Sequence, residues 1–277
     1  MNVGVIGGDR RQAELVKLLQ SDGHSVTTYG LEQWGEFEQD DLNRVSKQEM
    51  VIMPLPLCKP AGILNCETKK VPIEELFKRF KPKQMLLAGQ IQRKEMETAE
   101  SLGLHLVDYF KREELTVANA AATAEAAIQV AMDYSESTLL GKHCLVLGFG
   151  RIGKLLSDRL RGLGVRVTAT ARKPADLAWI QAYGWSALET DQLDGKLNAF
   201  DMVFNTIPAP ILGETLLKQL KPDCLCVELA SVQGIDLAAA DQLGLPNVWA
   251  RGLPGRFVPR SAAQYIRDAV YNIIKEN

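Results

Sequence analysis

Metal-ligating patterns are missing from this sequence. The five cysteines, Cys58, Cys66, Cys144, Cys224 and Cys226, form no CxxC pair, and His24, His105 and His143 stand at no ligand spacing from them. No metal site is therefore expected. Cys224 and Cys226, two apart in a predicted strand, read as small apolar groups on one face. No apolar run approaches the ~20 residues of a membrane span. A net charge of −2 gives no reason to expect nucleic acid or a membrane surface as a partner. Met1-Asn2-Val3-Gly4-Val5-Ile6 begins directly as a strand, without a basic leader or cleavage site, so a cytoplasmic location is expected. No histidine follows His143.

The chain does carry Gly148-Phe149-Gly150-Arg151-Ile152-Gly153. An apolar run, His143 to Leu147, precedes it; a helical pattern, Lys154 to Leu163, follows, and then a second strand, Val165 to Ala171. Strand, glycine turn, helix and strand are the context that the dinucleotide fingerprint requires. The first glycine makes the turn, the second lets the backbone approach a pyrophosphate, and the third lets the helix pack on the strand. An NAD site usually closes the second strand with Asp or Glu. Here Thr170-Ala171-Arg172-Lys173 offers a hydroxyl and two cations, and the first carboxylate is Asp176. That composition suits a 2′-phosphate and predicts NADP, with NAD the alternative.

At 277 residues and 46% apolar content, two domains with cores of their own are possible. Short apolar strands are predicted at 2–6, 25–29, 50–54, 84–88 and 104–107, alternating with helices ending near Ser21 and spanning 73–79 and 94–102. Residues 119–137 are Ala-rich without Gly or Pro and predict one long helix, and 261–275 predict a final amphipathic helix. The predicted fold class is α/β, with two Rossmann-like doubly wound domains joined by long helices and a cleft between them. The expected division is 1–118 plus 259–277 as a substrate and partner domain, 119–137 as a linking helix, and 138–258 as the NADP-binding domain.

Gly7-Gly8-Asp9-Arg10-Arg11-Gln12 opens the first helix without the GxGxxG spacing. It reads either as an anion site, with free N–H groups at Gly8 and cations at Arg10 or Arg11, or as a tight turn with Asp9 as helix N-cap.

These segments carry a family resemblance. Val5 to Gln12, Gly148 to Gly153, Asn205-Thr206-Ile207-Pro208, Glu228-Leu229-Ala230-Ser231 and Gly252-Leu253-Pro254-Gly255 followed by Pro259 resemble the A subunits of bacterial dipicolinate synthase, the spore enzyme, over nearly the whole length. The resemblance implies oxidation of a dihydrodipicolinate-type cyclic dicarboxylate to dipicolinate, with NADP reduced and a flavoprotein-like B subunit as partner. A homo-oligomer is also expected. The chain reads Val232-Gln233-Gly234 where the resemblance leads to Arg-Pro-Gly, so another substrate acid stays open.

A dehydrogenase needs a hydride acceptor, a means of orienting the substrate and a proton acceptor. Besides the fingerprint and residues 170–173, Thr206, Ile207, Pro208, Ala230 and Ser231 are expected at the cofactor. The lack of a histidine after His143 argues against the His-assisted route of 2-hydroxyacid dehydrogenases. Aromatising a dihydropyridine asks for only a weak base, and Asp9 and Glu125 are the candidates, with Ser231 beside the ring. Asn119, Thr123 and Glu125 are expected on one patch of the linking helix. Cations for a diacid come from Arg10, Arg11 and Arg251, with Arg256 and Arg260 nearby. Two other functions remain open: a shikimate-dehydrogenase-like reductase of another small keto or hydroxy acid, and a cofactor-binding regulatory subunit without turnover.

Overall fold

The first strand is sealed on both faces, for Val3, Val5 and Ile6 have no exposed surface, as the centre of a covered parallel sheet requires. This strand, β1 (Asn2–Ile6), begins the computed structural model, which describes every residue except Glu36, Glu38, Gln39 and Asn277. The chain folds as two compact units, Met1–Asn119 with Pro254–Asn277, and Ala120–Leu253.

In the first unit, β2 (Ser25–Tyr29) and β3 (Met50–Ile52) are followed by a two-stranded antiparallel hairpin, β4 (Cys58–Lys59) and β5 (Ile63–Leu64), and then by β6 (Met85–Ala88) and β7 (Leu106–Asp108). The main sheet runs β2-β1-β3-β6-β7, every pair parallel. Without the hairpin this is the 2-1-3-4-5 order of one doubly wound class. The strand predicted to reach Pro54 stops at Ile52, because proline offers no N–H to the ladder. Helices α1 (Arg10–Ser21), α2 (Leu42–Val45), α3 (Ile73–Phe77) and α4 (Arg93–Ser101) connect the strands.

Helix α5 (Glu113–Asp133) carries the chain into the second unit. It starts and ends earlier than the predicted 119–137. Glu113 and Glu114 suit the positive end of a helix, and beyond Asp133 the Ser135 hydroxyl bonds the Ser137 carbonyl at 3.0 Å and offers the chain a turn instead. Nor does this helix stand apart as a linker: the units divide within it, between Asn119 and Ala120, and residues 254–258 belong to the first unit.

The second unit contains β8 (His143–Leu147), α6 (Arg151–Gly162), β9 (Arg166–Ala171), α7 (Pro174–Ala182), β10 (Ser186–Glu189), β11 (Met202–Asn205), α8 (Glu214–Leu217), β12 (Leu225–Glu228), α9 (Leu237–Gln242) and β13 (Asn247–Trp249). Its sheet runs β10-β9-β8-β11-β12-β13, every pair parallel. This is the 3-2-1-4-5-6 order of a dinucleotide-binding sheet.

The chain returns through α10 (Leu253–Phe257) to α11 (Pro259–Glu276). Ala262, Ala263, Ile266, Ala269, Val270 and Ile273 form one buried stripe of α11, packed against α1 in the first unit's core. Tyr271 ties the pair at its edge, donating to Asp22 at 2.7 Å with its hydroxyl 2.9 Å from His24 Nε2. The opposite face of that sheet is covered by α2, α3 and α4 through Val45, Phe77 and Ala99. Among the described residues no helix is long and apolar enough to cross a membrane, and no group of three His, Cys, Asp or Glu residues could hold a metal ion.

His143 begins β8 with Nε2 2.9 Å from Thr168 Oγ1 and its ring against Phe200. Burial, and then the Arg166 charge, hold its pKa below the usual imidazole range. The unfolded chain therefore takes up the proton first as pH falls through ~6.5, and stability declines from there toward acid. Thermal unfolding between pH 7.5 and 5.5 should show a falling midpoint, with a smaller fall in His143→Gln, which has no such proton to gain.

Candidate functional site

The second sheet reverses direction at β8, whose neighbours are β9 and β11. Ligands of open α/β sheets bind beyond the strand ends at such a point. Gly148 follows β8 with φ of 98°, the left-handed region that favours glycine. A Cβ there would stand 2.6 Å from Thr206 Oγ1 and 2.9 Å from Ile207 Cγ1. At Gly153 a Cβ would lie 2.1 Å from the Gly148 carbonyl oxygen, so only glycine lets α6 sit against the turn. Gly150 is different. Its φ of −78° suits any residue, and a Cβ there would meet nothing within 4 Å. It is the N-cap of α6 and, as glycine, brings no capping side chain of its own. Open space beside a helix N-terminus is what a pyrophosphate requires.

A cavity of about 330 Å³ lies over this turn. Gly148, Phe149 and Gly150 line it, with Ala171, Arg172 and Lys173 on one side and Thr206, Ile207 and Pro208 on the other. Asp176 and Thr190, to which the sequence pattern assigns no role, line it as well. Asp176 is in the first turn of α7 and Thr190 follows β10. These residues fit a nicotinamide dinucleotide: a glycine cradle, a helix N-terminus, and two cations with a carboxylate where the adenosine ribose belongs.

Several expected roles are reassigned. The Thr170 hydroxyl is fully buried; it accepts the Gly148 N–H at 3.1 Å and the Thr190 hydroxyl at 3.2 Å, so it holds the turn and is not a phosphate ligand. Strand alternation explains this, for Ala171, its neighbour, is the residue that lines the cavity. The Thr206 hydroxyl donates to the Leu147 carbonyl at 2.8 Å and is likewise engaged in the protein. Both backbone groups of Ala230 are used: its N–H donates to Glu228 at 2.8 Å and its carbonyl accepts from Trp249 Nε1 at 3.0 Å. Ser231 is exposed and does not line the cavity, nor do Arg151, Ile152 and Gly153, the first turn of α6.

In the first unit the Gly-Gly turn has no N–H to spare. Gly7 donates to the Tyr29 carbonyl at 2.8 Å and Gly8 to the Asn65 carbonyl at 2.7 Å. Asp9 is the N-cap of α1, accepting the Arg11 N–H at 2.9 Å. Its carboxylate also pairs with the Arg11 guanidinium at 2.7 Å, and Arg11 donates onward to the Leu55 carbonyl at 2.5 Å. The anion site read at Gly8 and Arg11 is therefore filled from within: the N–H groups of Gly7 and Gly8, and the charge of Arg11, are satisfied by the protein. Gly255 lies on this pair, since a Cβ there would come 3.0 Å from Asp9 Oδ2. The opening Gly-Gly-Asp and closing Gly-Leu-Pro-Gly segments thus meet at Asp9. Arg10 is exposed.

Asn119, Thr123 and Glu125 do not share a patch. Two residues on a helix turn through about 200°, which buries Thr123 and exposes Glu125. Glu125 pairs with Arg159 at 3.1 Å. Arg251 lies 4.6 Å from the Trp249 ring centroid.

Two known protein families match successive parts of the chain. Residues 2–110 match the N-terminal domain of the dipicolinate synthase A subunit, and residues 113–240 match the NAD binding domain of D-isomer specific 2-hydroxyacid dehydrogenase. The dipicolinate synthase A subunit of Bacillus subtilis (strain 168) is 27% identical over 286 residues, covering 100% of this chain and 96% of that protein. The crystal structure of the Bacillus subtilis protein superposes with a TM-score of 0.86 at 27% identity, over 100% of this chain and 96% of that one. A Salmonella D-lactate dehydrogenase, 14% identical with a TM-score of 0.69 over 99% of this chain and 96% of that one, shares the fold.

The second and third glycines of the fingerprint should separate binding from stability. Gly150→Val should cost under ~1 kcal/mol of stability, as an N-cap change, and abolish dinucleotide binding. Gly153→Ala should destabilise by ~1–3 kcal/mol through overpacking. Thermal melts and dinucleotide titrations of both variants check the contrast.

Proposed function

We propose that this chain, an NAD(P)-dependent oxidoreductase similar along its whole length to the dipicolinate synthase A subunit, oxidises a dihydrodipicolinate-type cyclic dicarboxylate to dipicolinate with NADP as acceptor and a B subunit as partner. The observation that carries this reading is the similarity of the whole chain, both units included, to that protein. The bound dinucleotide supplies the hydride acceptor. The chain's own contribution is to bind and orient. The N-terminus of α6 holds the pyrophosphate over Gly150. Arg172 and Lys173 hold the 2′-phosphate; both are exposed at the cavity and outnumber the single carboxylate, Asp176.

The proton released as the ring aromatises needs only a weak acceptor. Asp9 takes this role in our proposal because the opening and closing segments meet at it and its side chain is about a third exposed; Glu125 is given up because it lies on the exposed face of α5, away from the cavity lining. Arg10 is the first unit's cation for a substrate carboxylate, since the Arg11 charge is compensated by Asp9. The absence of any histidine after His143 still weighs against a plain hydroxyacid reaction.

Trp185 packs against Phe149 of the cavity, with ring centroids 6.1 Å apart, and reports on binding. Fluorescence titration should show NADP+ binding more tightly than NAD+, with a further shift when dipicolinate is added. Arg172→Ala should raise the Kd for NADP+ about tenfold or more, the ~1.5–3 kcal/mol of a hydrogen bond to a charged group, and leave NAD+ nearly unchanged. Equal binding of the two cofactors would overturn the NADP reading. Turnover of a dihydrodipicolinate-type acid in the presence of the B subunit, followed as NADPH formation, tests the reaction itself.

A further inference from the structure

Glu228, the last residue of β12, has no exposed surface. Among the described residues its partners are all N–H donors. Asn205 Nδ2 lies 2.9 Å from both carboxylate oxygens. The Ala230 N–H reaches Oε1 at 2.8 Å, and those of Gly234 and Ile235 reach Oε2 at 2.8 and 2.9 Å. Only an acceptor-only side chain satisfies such a set. The carboxylate therefore pins the turn after β12 at both ends.

Asn205 carries this grip outward. Its Oδ1 accepts the Ile207 N–H at 3.1 Å, and its Nδ2 donates to the Ile207 carbonyl at 2.9 Å. Ile207 lines the cavity and lies against the Gly148 turn. The packing leaves little freedom: a Cβ on Gly234 would lie 2.3 Å from Asn205 Nδ2.

A dinucleotide spans two mononucleotide halves of such a sheet. The adenosine half belongs to the β8, β9 and β10 side, and the β11 and β12 side remains for the nicotinamide. We propose that Glu228 is a positioning residue for the nicotinamide half, acting through Asn205 on the wall formed by Thr206, Ile207 and Pro208. This rests on the cofactor reading above. Glu228 touches none of the cavity itself; it removes conformational choice from the wall, so that binding does not have to order it.

The test compares whole cofactor with its adenosine half. Glu228→Gln sets an amide N–H2 against backbone donors, and Asn205→Ala keeps the three backbone bonds to Glu228 but removes the link to Ile207. In both folded variants the Kd for NADP+ should rise about tenfold or more, while that for 2′,5′-ADP stays within about twofold. If Glu228→Gln fails to fold, as its melt would show, Asn205→Ala carries the test alone. An Asn205→Ala chain that binds NADP+ like the wild type, or that loses NADP+ and 2′,5′-ADP in equal measure, overturns the positioning role. A wild-type chain that binds neither dinucleotide nor 2′,5′-ADP overturns the cofactor reading itself.

Discussion

The candidate site depends on one contact in which no side chain fits, that between Gly153 and the carbonyl of Gly148. It sets α6 hard against the strand that precedes it, and so fixes where the first N–H groups of the helix point. Three strands converge on the same turn. Gly148 donates to Thr170 of β9, and Thr206, next after β11, donates both its N–H and its hydroxyl to Leu147 of β8. The turn is thus a joint in the sheet as well as a cradle. Its two threonines help make that joint: Thr170 is buried behind the turn, and Thr206 gives its hydroxyl proton to Leu147.

The two units share a second device. In each, a buried carboxylate at the end of a strand gathers backbone N–H groups from loops at the same edge of the sheet. Asp108, ending β7, accepts from Gln90 at 3.0 Å, Ile91 at 3.1 Å and Phe110 at 2.9 Å. Glu228, ending β12, accepts from Ala230, Gly234 and Ile235. Loops at strand ends leave donors that no ladder satisfies, and an unpaired buried donor is costly. One carboxylate satisfies three of them and turns a flexible crossing into a shaped one.

The α/β class and both parallel sheets are legible in the sequence because strand and helix periods alternate in short, well-separated segments. The glycine turn is legible because its spacing is local. What escapes is non-local or a matter of parity. Thr170 and Ala171 are adjacent letters, but the strand turns one inward and the other to the cavity. Thr123 and Glu125 look like neighbours and lie on different faces of α5. Asp9 and Arg11 each suggest a ligand site when read singly, and the structure pairs them with each other. Asn205 and Glu228 lie 23 residues apart, and nothing short of the folded sheet brings them together.

The first unit has the same kind of sheet as the second, and its first strand also runs through glycines into a helix. Its turn differs in one respect: the N–H groups of Gly7 and Gly8 are taken by carbonyls of the chain's own Tyr29 and Asn65. The segment after the β4–β5 hairpin occupies the position where a phosphate would have to bind. Two openings of the same strand–glycine–helix type are thus completed in opposite ways, the first by the chain's own carbonyls and the second at a cavity.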